Sequence, residues 1–290
     1  MSMQGKVVMV TGANAGIGFE TAVAVAAQGA TTVLACRNRA RAEAAAKEVV
    51  SRTWNDDVAL VDLDLADLSS VRRAAGDVGE RWDRLDVLVN NAGGTWSVRQ
   101  ATAQGFEYTF GVNHLGPFYL TNLLLDRLRA SAPARIVNVS STGHHFARKG
   151  MRFDDLQSER HYDGFEAYCR TKLANVLFTL ELARRLGGTD VTANAVHPGP
   201  VRSRFGMDGD LAGWSGVGIR LARPFEISPA RGARTSVFLA TSPEMAGRTG
   251  GYWVRCKPGH LSRHARDEAS AARLWEESER LLAGAGFPLA

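Results

Sequence analysis

Short apolar runs and helix-forming segments take turns along this chain, and that alternation restricts it to very few folds. V-V-M-V at 7–10 leads into a glycine-rich turn at 11–18, then into a helix that reaches about residue 28 and stops at Gly29. T-V-L-A-C at 32–36 precedes an alanine-rich helix over about 39–50. V-A-L-V-D-L at 58–63 precedes a helix over about 69–82, and L-D-V-L-V-N at 85–90 reads as the next strand. Helices near 115–128 and 165–186 flank R-I-V-N-V-S at 135–140, and V-T-A-N-A-V follows at 191–196. Strands and helices at this spacing predict βαβ units with right-handed crossovers and one parallel, doubly wound sheet flanked by helices, an α/β fold.

Residues 202–229 interrupt the rhythm with several glycines and with Phe205, Trp214 and Phe225, so a lid insertion is expected there. A last helix is predicted from Ser236, a strand near 252–254 and an amphipathic helix over 267–282. That final helix can pack on its own domain, on a second subunit of a homodimer or homotetramer, or on a membrane surface, with self-packing the default. No linker or repeat marks a boundary, so a single domain over 1–290 is expected.

The chain's 290 residues, 45% hydrophobic and 22% charged, suffice for a large core and exclude a collagen-like or disordered chain. The net charge of +5 is scattered and mostly arginine, which excludes a nucleic-acid partner as the leading reading. The three cysteines, Cys36, Cys169 and Cys256, lack C-x-x-C spacing, so neither a disulfide framework nor a zinc site is encoded. Seven histidines include no spaced ligand set, and no metal is expected. With no signal peptide and no apolar run long enough to span a bilayer, a cytoplasmic location without a transmembrane segment is expected.

T-G-A-N-A-G-I-G at 11–18 joins the first strand to the first helix, so its amides and the helix N-terminus face one small volume suited to a pyrophosphate. Gly12 serves the tight turn, Gly16 lets phosphate approach the backbone, Gly18 lets helix and strand pack, and Asn14, Ala15 and Ile17 complete the cradle. This is the Rossmann-type arrangement. At the end of the second strand, where an acid would accept both ribose hydroxyls and repel a 2′-phosphate, stand Cys36 and Arg37. A guanidinium in that place favours NADP(H) over NAD(H), the plainer alternative being a solvated cluster with Arg39 and Arg41. Asp64 can accept the adenine amino proton with Leu65 beside the ring, and Asn91, Ala92 and Gly93 of N-N-A-G end the fourth strand near the cofactor.

Tyr168 and Lys172 are spaced i, i+4 on a predicted helix, which places both on one face. A nearby ammonium stabilises an ionised phenol, the help a tyrosine needs to exchange protons near neutral pH. Ser141 lies at the C-terminal edge of the fifth strand and can hold a carbonyl, whereas Ser140 would face the other way. Cys169 reads as a packed small residue. Trp96, His144, His145 and Phe146 either line an apolar pocket or pack under a loop.

T-G-x-x-x-G-x-G, N-N-A-G, V-N-H-L-G with Asn113, Ser141, Y-x-x-x-K and H-P-G at 197–199 together resemble the short-chain dehydrogenase/reductase superfamily. A-C-R-N, G-F-E-A-Y-C-R-T-K-L-A-N-V-L-F and the ending A-R-L-W-E-E-S-E-R-L-L are similar to its retinol-dehydrogenase-like branch. The resemblance implies that Asn113 helps hold a proton-relay water through a local helix distortion and that Ser141 positions the carbonyl. It implies that Tyr168 exchanges the proton while Lys172 binds the nicotinamide ribose and depresses the Tyr168 pKa. Pro198, Gly199 and Val201 would lie along the nicotinamide. Animal members of the branch commonly carry an N-terminal membrane anchor and handle retinoids or other lipid aldehydes, whereas this chain starts almost at its first strand.

The expected function is an NADP(H)-dependent oxidoreductase for an apolar aldehyde or ketone, or the matching alcohol. An NADP(H)-binding regulatory protein has no need of this proton-transfer set, and a methyltransferase has no reason to place Y-x-x-x-K at the ligand edge.

Overall fold

A computed structural model describes residues 2–201 and 227–289. In chain order its strands are β1 (Val7–Thr11), β2 (Thr31–Cys36), β3 (Val58–Asp62), β4 (Val87–Asn90), β5 (Ala134–Val139), β6 (Val191–His197), β7 (Tyr252–Val254) and β8 (Lys257–Pro258). The helices are α1 (Gly16–Ala26), α2 (Arg39–Thr53), α3 (Leu68–Arg81), the short turn α4 (Tyr108–Phe110), α5 (Gly116–Ala130), α6 (Gly164–Arg185), α7 (Pro229–Thr241) and α8 (Glu268–Gly284). Among the described residues the strands form one sheet in the order β3-β2-β1-β4-β5-β6-β7-β8, with every pairing parallel except β7 with β8. The chain leaves β1 toward β2 and β3, then returns to the other side of β1 as β4. The carboxyl ends of β1 and β4 therefore border the crevice where a doubly wound sheet binds ligands.

Side-chain alternation divides the interior in two. Val8 and Val10 of β1 join Leu34, Val89, Val137, Val196 and Leu239 under α1, α2 and α7. Met9 of the same strand joins Leu88, Ile136, Phe118, Leu173 and Trp275 under α3, α5, α6 and α8. Helix starts follow local chemistry: Asn38, Asp67, Asp163 and Ser228 accept backbone N–H groups at the N-termini of α2, α3, α6 and α7.

The helix expected near 115–128 begins earlier, as α4 followed by a π turn, Gly111–Leu115, and then α5. Pro117 explains the slip, because it has no N–H to give to the Asn113 carbonyl four residues back; Gly116 N–H instead reaches the Gly111 carbonyl. The helix expected from Ser236 begins at Pro229, a favoured first-turn residue, behind the Ser228 cap. The expected lid falls mostly on 202–226, outside the described residues. Its last three positions are regular rather than lid-like: Ile227 forms a parallel bridge with Val201 and donates its N–H to the Pro200 carbonyl at 2.8 Å.

The C-terminal helix packs on its own chain. Trp275 sets its ring 4.9 Å from Phe118 and 5.9 Å from Phe178, and Ser278 meets His114 Nε2 at 2.9 Å. No helix among the described residues is long and apolar enough to cross a membrane.

Candidate active site

The turn after β1 is shaped by glycines that do different things. Gly12 and Gly16 have φ of +66° and +59°, a conformation that side chains rarely adopt. A Cβ on Gly18 would run into the Asn91 amide and the Gly12 carbonyl, whereas a Cβ on Gly16 would meet no protein atom within 4 Å. Gly18 thus serves packing, and Gly16 lines open space at the start of α1. The N-cap position of α1 is Ala15, which offers no side-chain acceptor, and the first turn carries no acid. Its N–H groups and dipole face that space, so the residues fit a nucleotide pyrophosphate.

The ends of β1 and β4 are fastened to each other. Thr11 Oγ1 accepts the Asn91 and Ala92 N–H groups, each at 3.0 Å, and Asn91 Nδ2 donates to the Thr11 carbonyl at 2.8 Å. The Asn91 side chain therefore holds the rim of the crevice. Gly93 stands above the next group, for a Cβ there would lie 2.9 Å from Asn113 Oδ1 and 3.5 Å from Lys172 Nζ. On the far side, Gly199 has φ +97°, and Val201 packs against Gly232 of α7 close to Ile17, which brings the exit of β6, with Pro198, beside the glycine turn.

Arg37 is exposed just beyond β2 and donates from Nη1 to the Tyr108 hydroxyl at 2.8 Å. Arg39, by contrast, is engaged by Glu43 at 3.0 Å and Asp62 at 3.4 Å. Cys36 is buried against the glycine turn, and burial pushes its thiol up to about 11 against the pull of the Ala13 and Asn14 amides. Asp64 accepts the Ala66 N–H at 2.9 Å, and the Leu65 backbone lies against Gly116 of α5.

Tyr168, Ser141, Lys172 and Asn113 converge from α6, the end of β5 and the π turn. Ser141 Oγ accepts the Gly143 N–H at 3.1 Å and is in hydrogen-bond contact with the Tyr168 phenol. Ser140 is turned away and donates to the Lys172 carbonyl at 2.7 Å, pinning α6 to the end of β5. Lys172 is buried, its Nζ donating to the Val139 carbonyl at 3.3 Å and lying 5.5 Å from the Tyr168 ring centroid. Asn113 is fully buried; its amide gives protons to the Gly94 carbonyl at 2.8 Å and Thr171 Oγ1 at 3.0 Å and accepts the Gly94 N–H at 2.8 Å.

Burial pushes the Tyr168 phenol up to about 12, with the Ser141 hydroxyl pulling it down and the Cys169 thiol adding a smaller upward push. Burial also brings the Lys172 ammonium down to about 8. Lys172 directs its hydrogen bond at the Val139 carbonyl, and burial is the largest influence on the Tyr168 phenol.

A short chain dehydrogenase model matches residues 6–153. Human retinol dehydrogenase 13 is 45% identical over 285 residues, covering 97% of this chain and 86% of its own. The chain belongs to the short-chain dehydrogenase family. Within that family its relatives place it in the retinol-dehydrogenase-like branch. A solved Mycobacterium paratuberculosis protein is 36% identical with a TM-score of 0.78, covering 100% of this chain and 96% of its own. The 3-ketoacyl-(acyl-carrier-protein) reductase of Brucella melitensis, solved with NADH, is 25% identical with a TM-score of 0.68 over 87% of this chain and 97% of its own. This short-chain dehydrogenase is accordingly an oxidoreductase that binds a nicotinamide cofactor.

Several residues that shape the site were not singled out in the sequence. Thr11 and Thr171 act through neighbours distant in the chain, and only their adjacency to Gly12 and Lys172 hinted at it. His144 is buried and hydrogen-bonded rather than a pocket wall, Trp96 packs edge-on against Tyr108 at 4.7 Å, and Phe146 and His145 are exposed. Cys169 is fully buried and its thiol is held up to about 12 by burial, which fits a packed residue.

Proposed function

We propose that this chain is an NADP(H)-dependent oxidoreductase for an apolar aldehyde or ketone, or the matching alcohol, with Asn113, Ser141, Tyr168 and Lys172 as its working residues. One observation carries the reading: a half-buried phenol touches the Ser141 hydroxyl at the edge of the crevice that the glycine turn opens onto.

When bound, the nicotinamide would supply the hydride that adds to the carbonyl carbon, or accept it from the alcohol carbon in the reverse direction. Ser141 holds the carbonyl oxygen, and Tyr168 gives its proton to that oxygen as negative charge develops there. Lys172, buried beside the phenol, would hold the ribose hydroxyls. The Asn113 carbonyl, without an α-helical partner because of Pro117, accepts a relay water that returns a proton toward Lys172. Pro198, Gly199 and Val201 bound the nicotinamide side, and Gly12, Asn14, Ala15, Gly16, Ile17 and Gly18 hold the phosphates. Asp64 and Leu65 would bound the adenine, and Asn91, Ala92 and Gly93 would bring backbone close to the cofactor.

The preference for NADP(H) is supported by Arg37 and by the buried thiol of Cys36 where an acid would repel a 2′-phosphate. The apolar substrate is supported by the retinol dehydrogenases among its relatives. The reading places the enzyme in the cytoplasm as one domain.

The test is loss of NADPH absorbance, with NADH in parallel, over a panel of apolar aldehydes and ketones that includes retinal, with Tyr168→Phe as the blank. Turnover that vanishes in the variant supports the reading. Tight NADPH binding without turnover of any panel member favours the regulatory alternative.

A further inference from the structure

Two buried imidazoles grip opposite ends of one peptide group, the one joining Ser141 to Thr142. His144 Nδ1 lies 2.7 Å from the Ser141 carbonyl, and the Thr142 N–H points to His197 Nδ1 at 3.3 Å. The chemistry of the partners assigns the protons. The Ser262 N–H can only donate, and it meets His144 Nε2 at 3.2 Å; Nε2 is therefore the bare nitrogen and Nδ1–H donates to the Ser141 carbonyl. His197 must present a bare Nδ1 to the Thr142 N–H. The two histidines hold opposite tautomers, and both are buried, at 0% and 8% exposure. His145, at 4.0 Å, and Tyr252, at 4.7 Å, lie against the His144 ring and restrict its rotation.

We propose that His144 and His197 form a clamp that sets the plane of the Ser141–Thr142 peptide and so aims the Ser141 hydroxyl at Tyr168. They act as positioning residues. The inference rests on the roles proposed above for Ser141 and Tyr168. A rotation of this peptide would move the Gly143 N–H away from Ser141 Oγ and free that hydroxyl to turn from the phenol. The clamp reaches into the C-terminal segment: Ser262 fixes the His144 tautomer, and His264 Nε2–H donates to the Arg148 carbonyl at 3.0 Å, securing the other end of the same loop.

Asparagine and phenylalanine separate positioning from bulk. The Nδ2 of His144→Asn stands near the lost Nδ1 and keeps a donor for the Ser141 carbonyl; His144→Phe keeps the ring volume and no donor. His197→Asn and His197→Leu make the same comparison on the accepting side. The Phe and Leu variants are expected to lower kcat at least about tenfold with NADPH Kd within about threefold, while each Asn variant recovers most of kcat. In amide NMR spectra, the Gly143 and Thr142 resonances report the Ser141 hydroxyl and the His197 contact without any turnover. They should shift in the Phe and Leu variants and stay near wild type with Asn. Wild-type kcat in His144→Phe, Asn variants as impaired as the apolar ones, or unmoved amide resonances would overturn the clamp. If the wild-type protein reduces no carbonyl, the proposed function fails, and the resonances alone decide whether the clamp exists.

Discussion

Lys172 Nζ lies 5.5 Å from the centre of the Tyr168 ring and gives its hydrogen bond to the Val139 carbonyl at 3.3 Å. The ammonium thus sits beside the phenol ring while its hydrogen bond goes to the strand end. Burial holds the phenol up to about 12 and brings the amine down to about 8.

Tyr168→Phe keeps the ring and removes the proton. We expect kcat to fall by about 10²- to 10⁴-fold, the usual weight of a general acid, with NADPH affinity within about threefold. Steady-state kinetics and a nicotinamide fluorescence titration measure the two; more than a tenth of wild-type turnover would remove Tyr168 from its role.

Arg37→Asp replaces a phosphate-binding cation with a repelling acid. Loss of a charged hydrogen bond is worth about 1.5–3 kcal/mol, so the NADPH KM is expected to rise about 10- to 100-fold while that for NADH holds or falls. Tyr108→Phe, which only releases the Arg37 guanidinium from the Tyr108 hydroxyl, should change the NADPH KM by less than about threefold.

Gly16 and Gly18 should respond differently to alanine. Gly16→Ala meets no protein atom and carries about 1–2 kcal/mol of left-handed strain, so the protein folds, yet NADPH binding weakens at least about tenfold because the methyl fills the phosphate space. Gly18→Ala collides with Asn91 and the Gly12 carbonyl, and its main effect is a lower urea midpoint. Equal loss of stability in both variants would contradict this division.

Three buried histidines make the fold acid-sensitive. Burial holds His114 down to about 3, and His144 and His197 down to about 4, all below the ordinary value of 6.5. The unfolded chain binds these protons first, so this stability is complete above pH 6.5 and is lost as pH falls toward 4. At pH 5 each histidine costs about 2 kcal/mol, and urea midpoints at pH 7 and pH 5 should show a drop that shrinks by about a third in His114→Gln. A midpoint unchanged between the two pH values would refute it.

The nucleotide crevice was legible because local chemistry writes it out. T-G-A-N-A-G-I-G requires positive φ at Gly12 and Gly16, and the strand before it ends where the sheet changes direction. Y-x-x-x-K was legible because a helix repeats every 3.6 residues, which places Tyr168 and Lys172 on one face wherever that helix packs. The π turn at Asn113 was anticipated only as a distortion implied by resemblance, although Pro117 states its cause in the sequence.

The sequence by itself determined the order of strands and helices, the glycine turn and the Tyr168–Lys172 pair, since each follows from periodicity, backbone freedom or spacing within one element, while Asn113 came from the family resemblance alone. Only the tertiary structure decided which proton each group holds. Desolvation of Tyr168 and Lys172 depends on everything packed around them, and a directed hydrogen bond such as Lys172 to Val139 spans residues 33 positions apart. The same holds for the grip of His144 and His197 on one peptide, which brings together the end of β5, the end of β6 and Ser262. Hydrogen bonds act over about 3 Å in space and are indifferent to separation along the chain, so contacts of this kind exist only once the sheet has formed.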